Sequence, residues 1–417
     1  IIVTNGDNDT FPLWYAQEVE GFRTDVRVCN LSYLQTGWYC DQMKRKAYKS
    51  DPLPISFTHE QYTGDRDVIY IRNKKKEGIS LKEALDFIRS EAPATKKIEG
   101  YNARVCWVPS NTYFLNVDSA KLLSKGISCN RSKMKISISK GLLIKNDMMV
   151  LDMLQTSDWE RPMYYAVTVG GENYVGLNNY FRLEGLAYRI APYVDLAPDS
   201  YKKQRNSSAG NPGTVNTERM YDNIMNKFRW GFFNREGIYI DENKSRMAGN
   251  IRNNLARLAE MFVEEGDIAL NEGLQVDTNG LYVPISKDDA PAYAEQKYEK
   301  ARTVMEKLAF EVPDSIIPHN YFSLGIASCY YRLGLNEKAD DVLRKYAKDN
   351  LQEAEFYFAL GDGRIQSAVS DLQRNLYRVN QILDMAVVNE REGFVKELED
   401  SFYPLIDRYD NYFRPQY

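Results

Sequence analysis

The sequence predicts an α/β region, with a mixed, mostly parallel sheet covered by helices, followed by an all-α array of tetratricopeptide-like helices. Three observations support this prediction. Strand and helix patterns alternate in the first half of the chain, a polar stretch follows them, and helical periodicity prevails after that stretch. The predicted organisation is an α/β domain at 1–197, a linker or exposed loop at 198–217 and a helical domain at 218–417.

The α/β pattern begins with a short apolar strand, Ile1–Thr4, which leads through an acidic turn into a helix predicted over Pro12–Glu20. Short apolar runs predict further strands at Val26–Leu31, Val68–Ile71, Arg104–Val108, Met163–Val169 and Leu186–Ile190. Apolar residues at helical spacing predict helices at Gly37–Ala47, Leu81–Ser90, Lys145–Gln155 and near Asn178–Leu183. Ser80 is the predicted N-cap of the Leu81–Ser90 helix, and Glu83 occupies the capping-box position.

Two segments interrupt the alternation of strands and helices. A β-rich insertion is predicted near 110–140, because Tyr113–Val117 and Lys135–Ser139 alternate between apolar and polar residues. The stretch at 198–217 is rich in Ser, Asn, Gly and Pro and poor in apolar residues, which is typical of a linker or exposed loop.

The helical half carries residues at the spacing of a tetratricopeptide hairpin. Small, aromatic, glycine and large apolar positions follow each other at Ala327, Tyr330, Gly334, Ala339 and Leu343. A second, interrupted repeat is indicated by Ala259, Phe262 and Gly266 and then by Ala301, Met305, Leu308 and Pro313. The segment between them, Asp267–Gln296, is predicted to be an insertion between paired helices. Phe394–Tyr412 would suit a capping helix.

Composition and charge argue against several classes of function. The chain has 417 residues, with 54 basic and 58 acidic side chains and a formal net charge of −4. This charge gives no reason to expect nucleic acid or an anionic membrane surface as a partner. No apolar stretch approaches the roughly 20 residues that a membrane-spanning helix needs.

Conventional catalytic and metal sites lack support. The five cysteines are scattered and form no CxxC pair, so either one bridge such as Cys106–Cys129 or a set of buried thiols is expected. The two histidines, His59 and His319, lie in different halves without a serine or cysteine motif. No glycine-rich phosphate loop occurs. We therefore expect neither a metal nor a cofactor.

Candidate ligand-binding residues follow two of the predicted strands. The turn after the first strand contains Asp7, Asn8 and Asp9, and the loop after Met163–Val169 contains Gly171, Glu172 and Asn173. If the two strands are neighbours, both loops open on the same edge of the sheet, where α/β proteins commonly bind ligands. Carboxylates in this position could hold a hard cation or sugar hydroxyls.

A purely structural alternative exists for the first of these loops. Asp9 or Thr10 would cap the following helix, Pro12 would lie in its first turn, and Asp7 would stabilise the turn.

Two blocks of sequence resemble a family of large membrane proteins of the Bacteroidetes, which carry a domain of unknown function related to GT-C protein O-mannosyltransferases. The first block comprises Thr4–Tyr15, Glu18–Gly21, Arg23–Val28, Asn30–Ser32, Trp38-Tyr39 and Ser50–Ile55. The second comprises Lys145–Asp147, Val150–Asp152, Trp159, Arg161-Pro162, Tyr164–Ala166 and Leu183–Arg189. The resemblance covers about residues 1–195, and the helical end is similar to the repeat tail of such proteins.

The resemblance implies that this chain is the extracytoplasmic C-terminal part of a longer protein, on the periplasmic side of the inner membrane. In that family a multi-pass membrane region precedes this part and holds the catalytic site. The chain would then be non-catalytic, with its own upstream membrane region and a protein or glycan acceptor as partners. Two alternatives stay open: a carbohydrate-active enzyme with a carboxylate pocket around Asp7, Asp9 and Glu172, and a purely structural scaffold for protein interactions.

Overall fold

A computed structural model describes residues 1–64, 66–98, 104–202, 212–235, 237–278 and 280–413. The chain forms two compact units. Unit 1 comprises Ile1–Asn226 together with Leu274–Pro284, and unit 2 comprises Lys227–Gly273 together with Ile285–Tyr417. Among the described residues, no helix is both long enough and apolar enough to cross a bilayer.

Unit 1 is built of short strands and helices. Its strands are β1 (Ile2–Thr4), β2 (Val28–Asn30), β3 (Val68–Ile71), β4 (Ile79–Ser80), β5 (Trp107–Val108), β6 (Thr112–Asn116), β7 (Lys133–Ser137), β8 (Leu142–Ile144), β9 (Tyr164–Ala166), β10 (Phe181–Leu183), β11 (Ala187–Ile190), β12 (Thr214–Val215), β13 (Leu274–Val276) and β14 (Tyr282–Pro284). Its helices include α1 (Asp7–Glu18), α2 (Gly37–Met43), α3 (Leu81–Arg89), α4 (Ser119–Ser124), α5 (Lys145–Ser157) and α6 (Thr217–Asp222).

The main sheet of unit 1 is mixed and mostly parallel, as predicted. Its strand order is β12-β10-β11-β9-β1-β2. The pairs β1–β2, β1–β9 and β10–β12 are parallel, whereas β11 runs antiparallel to both β9 and β10. Strand β1 lies between β9 and the edge strand β2, and its Val3 is fully buried. The fold class predicted from alternating strand and helix patterns is therefore confirmed.

Two smaller sheets complete the α/β part. Strand β3 pairs parallel with β5 and antiparallel with β8. In the predicted β-rich segment, β6 and β7 pair antiparallel over Thr112–Asn116 and Lys133–Ser137, and β4 pairs parallel with β6. The short helix α4 lies between β6 and β7 in the chain, and Asp118 caps it by accepting a hydrogen bond from the Lys121 amide at 3.0 Å.

The helix predicted near Asn178–Leu183 is wrong. Asn178–Tyr180 form a single 3₁₀ turn, and the next three residues form strand β10. All three strand residues are buried, including Arg182, whose guanidinium lies 3.9 Å from the ring centre of Tyr193. Phe181, Arg182 and Leu183 do alternate between apolar and polar residues, but a run of only three residues is too short to distinguish a strand from a turn of helix.

Unit 2 is helical. Its helices include α7 (Glu242–Glu272), α8 (Ala290–Glu311), α9 (Ser323–Arg332), α10 (Asn336–Ala359), α11 (Asp362–Ile365), α12 (Val369–Val388) and α13 (Glu392–Phe413). Helix α7 packs on α8 and α9, α10 packs on α9 and α12, and α13 packs on α12 and α10. The helices therefore pack on helices that are one to three places away along the chain, as in a short helical array.

The geometry of the turn between α9 and α10 explains why residue 334 is glycine. Gly334 has φ +72°, its amide bonds to the Tyr331 carbonyl at 2.9 Å, and the Leu335 amide bonds to the Tyr330 carbonyl at 2.9 Å. These two bonds form a Schellman motif, which needs a left-handed residue that glycine adopts without strain. Ala327 and Ala339 are fully buried where the two helices pack.

The segment between α7 and α8 is shorter than the predicted insertion, Asp267–Gln296. Helix α7 continues to Glu272 and α8 begins at Ala290, and the residues between them contain the hairpin β13–β14. The predicted linker at 198–217 falls partly on residues 203–211, which lie outside the described residues. Beyond them, Thr214–Val215 form β12.

Candidate functional site

The two predicted ligand loops emerge at the same edge of the main sheet. Ile2 pairs with Tyr164 and Val3 with Tyr165 in the parallel pair β1–β9. The carboxyl ends of both strands therefore point the same way, and the Asp7–Asp9 turn and the Gly171–Asn173 turn both follow that edge.

Asp9 is held by hydrogen bonds within this edge. Its carboxylate accepts from the Thr168 hydroxyl at 2.7 Å and from the Asn5 amide at 3.2 Å. The Thr10 hydroxyl, which is buried, contacts the same carboxylate at 3.2 Å and donates to the Thr4 hydroxyl at 2.8 Å. Asp9 thus joins the start of α1 to the segment that follows β9.

Helix α1 begins earlier than predicted. It starts at Asp7 instead of Pro12, and its N-cap is Gly6, so neither Asp9 nor Thr10 is the cap. Asp9 is the third residue of the helix and reaches back to the amide that precedes the cap. An acidic side chain in a first turn is favoured by the helix dipole. Asp7 and Asn8 are exposed at the same helix start.

The second loop is a short 3₁₀ turn, Gly171–Asn173, with an exposed glutamate. The Glu172 carboxylate accepts from the Asn173 side chain at 2.9 Å and folds back over Gly170. A Cβ at Gly170 would contact that carboxylate, which lies at the flexible end of the exposed Glu172 side chain. Thr168 connects this segment to Asp9, whereas Glu172 turns toward its own loop. Within the described residues, no three His, Cys, Asp or Glu side chains are grouped so that they could hold a metal ion.

The polar residues of the second resembling block are buried and have structural partners. At the start of α5, Lys145 donates to the Gln35 carbonyl at 3.0 Å and Asn146 to the Leu31 carbonyl at 3.1 Å. Asp147 accepts from Lys140 at 2.8 Å. These three side chains attach α5 to the loops beside β2 and β8.

Arg161 connects the two resembling blocks, and Asp152 joins the second block to residues just outside the first. The Arg161 guanidinium donates to the carbonyls of Asp51 and Pro52, each at 2.9 Å. The Asp152 carboxylate, fully buried, accepts from the Ser56 amide and hydroxyl, both at 2.6 Å, and from Arg89 at 2.7 Å. The Arg161 and Asp152 side chains therefore stabilise unit 1. Loss of either would leave polar groups without hydrogen-bond partners, which lowers the free energy of unfolding.

The aromatic cavity, a site that sequence reasoning missed, lies between α1, the start of β2 and α2. Its volume is about 390 Å³, which is within the range of small-molecule sites. The lining includes Trp14, Trp38, Tyr39 and Tyr48, together with the polar side chains of Glu18 and Gln42. Tyr39 is buried and its hydroxyl accepts a hydrogen bond from the Asn30 amide at 3.0 Å, whereas Trp38 is 60% exposed.

The rim of the aromatic cavity contains a residue in an unfavourable backbone conformation. Tyr48 has φ +51° and is 62% exposed, in a tight turn closed by two hydrogen bonds between Ala47 and Ser50. Its hydroxyl donates to the Glu18 carboxylate on α1, and this bond raises the pKa of Tyr48. A bulky residue in the left-handed region costs energy that the surrounding structure must supply, and such residues cluster at functional sites.

Unit 2 has a cavity of about 420 Å³, lined by residues that include Arg252, His319 and Tyr330. Burial, reinforced by the neighbouring Arg252, lowers the pKa of His319 to about 4, so the imidazole is neutral at pH 7. Its Nδ1 lies 2.9 Å from the Ser323 hydroxyl, and its Nε2 lies 3.5 Å from the Asp314 carboxylate. Burial also lowers the pKa of Arg252 to about 10.

All five cysteines are buried free thiols, so the Cys106–Cys129 bridge does not form and the alternative of buried thiols is confirmed. Burial raises the pKa of Cys29 to about 12, which makes its thiol unreactive. His59 is exposed and its Nδ1 lies 2.9 Å from the Asp41 carboxylate.

Comparison with known proteins identifies the family. A family model described as TMEM260-associated domain 2 matches residues 1–217, more than half of the 417-residue chain. No curated protein and no solved structure matches significantly. The matched residues include both resembling blocks, α1, the aromatic cavity and β12, and the match is consistent with the glycosyltransferase-related resemblance. The chain therefore belongs to the TMEM260-associated domain 2 family.

Proposed function

We propose that this chain is an extracytoplasmic, non-catalytic recognition region of a glycosyltransferase-like membrane protein, and that the aromatic cavity of unit 1 binds a sugar residue of a glycan or glycosylated acceptor. The family match supports the glycosyltransferase-like context. The periplasmic location and the origin in Bacteroidetes follow from the motif resemblance and belong to the same proposal. A non-catalytic region of this kind would hold an acceptor close to the membrane part that performs the transfer.

The observation that carries the proposal is the composition of the aromatic cavity. A pyranose ring presents C–H groups on its faces and hydroxyl groups around its edge. Aromatic rings such as those of Trp38 and Tyr48 suit the faces, and the Glu18 carboxylate and the Gln42 amide suit the hydroxyls. Because Trp38 and Tyr48 are more than half exposed, both rings are accessible to a ligand from solvent.

The proposal assigns protein binding to unit 2. Its packed helices α9 and α10, joined through the left-handed Gly334, carry small residues at the spacing of a tetratricopeptide hairpin. Helical arrays of this kind offer extended surfaces for protein partners, so we propose that unit 2 is tetratricopeptide-like and contacts the acceptor protein or a partner subunit.

Replacing Trp38 by alanine tests the sugar site. In titrations of the full chain with methyl α-mannoside, methyl α-glucoside and methyl β-galactoside, monitored by tryptophan fluorescence and NMR, we expect at least one sugar to bind. We expect Trp38→Ala to weaken that binding about tenfold, or about 1.4 kcal/mol, because a stacking ring is lost. Tyr15→Ala is the matched control, since Tyr15 is also an exposed aromatic residue but lies outside the cavity lining.

Equal sugar affinities of the Trp38→Ala variant and the unsubstituted chain would show that the sugar binds elsewhere. If none of the sugars binds at millimolar concentration, the scaffold alternative gains support and the aromatic cavity loses its assigned ligand.

The double variant Asp7→Ala/Asp9→Ala separates this proposal from the carboxylate-pocket alternative. We expect sugar affinity to change by less than about twofold, because neither carboxylate lines the aromatic cavity. The free energy of unfolding should fall by about 1–2 kcal/mol, since Asp9 accepts hydrogen bonds from Thr168 and Asn5. If the folded double variant instead loses ligand binding, or abolishes the activity of the full-length parent, the carboxylate site is the functional one.

A further inference from the structure

An aromatic and basic surface of unit 2 has no role in the proposed function. It lies on the irregular segment between α6 and α7, where Phe232 is 55% exposed and Tyr239 is 79% exposed. Ile238 beside them is 37% exposed. These three apolar side chains lie within eight residues and form an exposed apolar patch. Such patches are unfavourable in water and commonly mark interaction sites.

Each of three aromatic rings in this surface has a cation above it. The Arg235 guanidinium lies 3.8 Å from the ring centre of Phe232, and Lys244 Nζ lies 5.9 Å from that of Tyr239. Lys307 Nζ, from α8, lies 5.5 Å from the ring centre of Trp230. We call these six residues the aromatic–cation patch. Its rings and charges alternate, so no ring is far from a positive charge.

A groove lined by both apolar and polar residues continues the aromatic–cation patch. A cavity of about 900 Å³, open to solvent, is lined by Ile238, Tyr239, Phe310, Pro313 and Ile316 among others. Phe310, on α8, is 65% exposed. The exposed apolar area therefore extends from the loop onto a regular helix, which gives it a fixed support.

The loop conformation is specific. Phe232 has φ +61°, a left-handed conformation that costs a bulky L-residue energy and that persists only where the neighbouring structure imposes it. In this conformation the Arg235 guanidinium lies over the Phe232 ring, and the side chain stays more than half exposed. An exposed aromatic ring on a strained backbone is typical of a functional surface.

The local charge differs from that of the whole chain. Between Lys227 and Arg246 the sequence contains five basic and three acidic side chains, although the chain as a whole has a net charge of −4. Two of the acidic side chains pair with basic side chains of the same segment: Asp241, which caps α7, lies 3.3 Å from Lys244 Nζ, and Glu242 forms an ion pair with Arg246 at 2.5 Å. Basic side chains still outnumber acidic ones in this segment.

From these observations we infer that the aromatic–cation patch docks on the headgroup region of an anionic lipid bilayer. Tryptophan, tyrosine and phenylalanine rings with nearby Lys and Arg are the side chains that partition into a membrane interface, where the rings enter the acyl boundary and the cations stay with the phosphates. An acidic protein surface would match the charges but would leave the exposed apolar side chains of Phe232, Ile238 and Phe310 unaccounted for. The inference is independent of the sugar site, which lies in unit 1.

Vesicle co-sedimentation of the full chain tests the inference. With vesicles of phosphatidylcholine containing about one third phosphatidylglycerol, we expect binding that weakens severalfold when salt is raised from about 0.1 M to about 0.5 M. The double variant Phe232→Ser/Tyr239→Ser should bind about tenfold more weakly. The control Phe356→Ser/Tyr377→Ser removes two rings that are 61% and 63% exposed elsewhere in unit 2, and it should bind as the unsubstituted chain does.

A second variant covers the case in which serine disturbs the loop. Arg235→Glu/Lys244→Glu keeps every ring and should abolish the preference for anionic over pure phosphatidylcholine vesicles. Circular dichroism establishes that each variant is folded. The inference is overturned if the unsubstituted chain does not bind anionic vesicles, if both ring variants bind equally, or if the charge variant keeps its lipid preference.

Discussion

Replacing Arg252 by alanine is expected to lower the free energy of unfolding of the helical unit by about 3–5 kcal/mol. Arg252 is only 2% exposed, and its guanidinium donates to the carbonyls of Ile317 at 2.6 Å, Pro318 at 2.7 Å and Val312 at 3.3 Å. These carbonyls belong to the irregular segment between α8 and α9. Without the guanidinium they would be buried without partners, and a large cavity would remain.

Urea denaturation of the full chain, combined with hydrogen exchange, measures this effect. Exchange should accelerate most in residues 312–318 and in α9. The control is Arg246→Ala on the same helix, because the Arg246 side chain is 70% exposed and pairs with the neighbouring, exposed Glu242. That substitution should change stability by less than about 0.5 kcal/mol. Equal effects of the two substitutions would mean that the buried carbonyl contacts contribute little.

Asp152→Ala is expected to lower the free energy of unfolding of unit 1 by about 3–4 kcal/mol. Its fully buried carboxylate accepts from the Ser56 amide and hydroxyl and from Arg89. The substitution leaves the Ser56 amide and the Arg89 guanidinium without this acceptor. Ser56 directly follows the first resembling block, Arg89 ends α3, and Asp152 lies in α5. The substitution therefore removes a contact that three separate segments share.

Asp86→Ala is a closely matched control, because Asp86 accepts from the same Arg89 guanidinium at 2.6 Å but is 48% exposed. Its loss should cost less than about 1 kcal/mol. Thermal unfolding of both variants, with intrinsic fluorescence as the probe, compares a buried with an exposed carboxylate on one arginine. A Tm for Asp152→Ala that is no lower than that for Asp86→Ala would contradict the prediction.

Local sequence patterns predicted the fold where one element depends on its own residues. Ser80 is the N-cap of α3, as predicted, and its hydroxyl accepts from the Glu83 amide at 3.0 Å. The Glu83 side chain does not complete the capping box but pairs with Lys75 at 2.8 Å. A lysine in the preceding loop thus replaced the N-cap amide as the partner of Glu83, which the capping-box spacing does not anticipate.

The candidate sites were harder to predict, because their residues come from different elements. The first loop was predicted from its strand–turn–helix pattern. The helix was predicted to begin at Pro12, because proline is typical of a first helical turn, whereas α1 begins at Asp7 and contains Pro12 in its interior. The aromatic cavity combines Trp14 on α1, Trp38 on α2 and Tyr48 in a turn. These residues share neither a period nor a motif, and the left-handed backbone of Tyr48 leaves no trace in sequence.

The hairpin β13–β14 has a consequence for synthesis of the chain. It belongs to unit 1 although it lies between α7 and α8 of unit 2, and a Cβ at its Gly280 would lie 3.0 Å from the Arg182 guanidinium of unit 1. On the ribosome, residues 1–226 emerge well before Leu274–Pro284. Unit 1 therefore cannot add its last two strands until the 31 residues of α7 have been translated. Neither unit can be completed before translation of the other has begun.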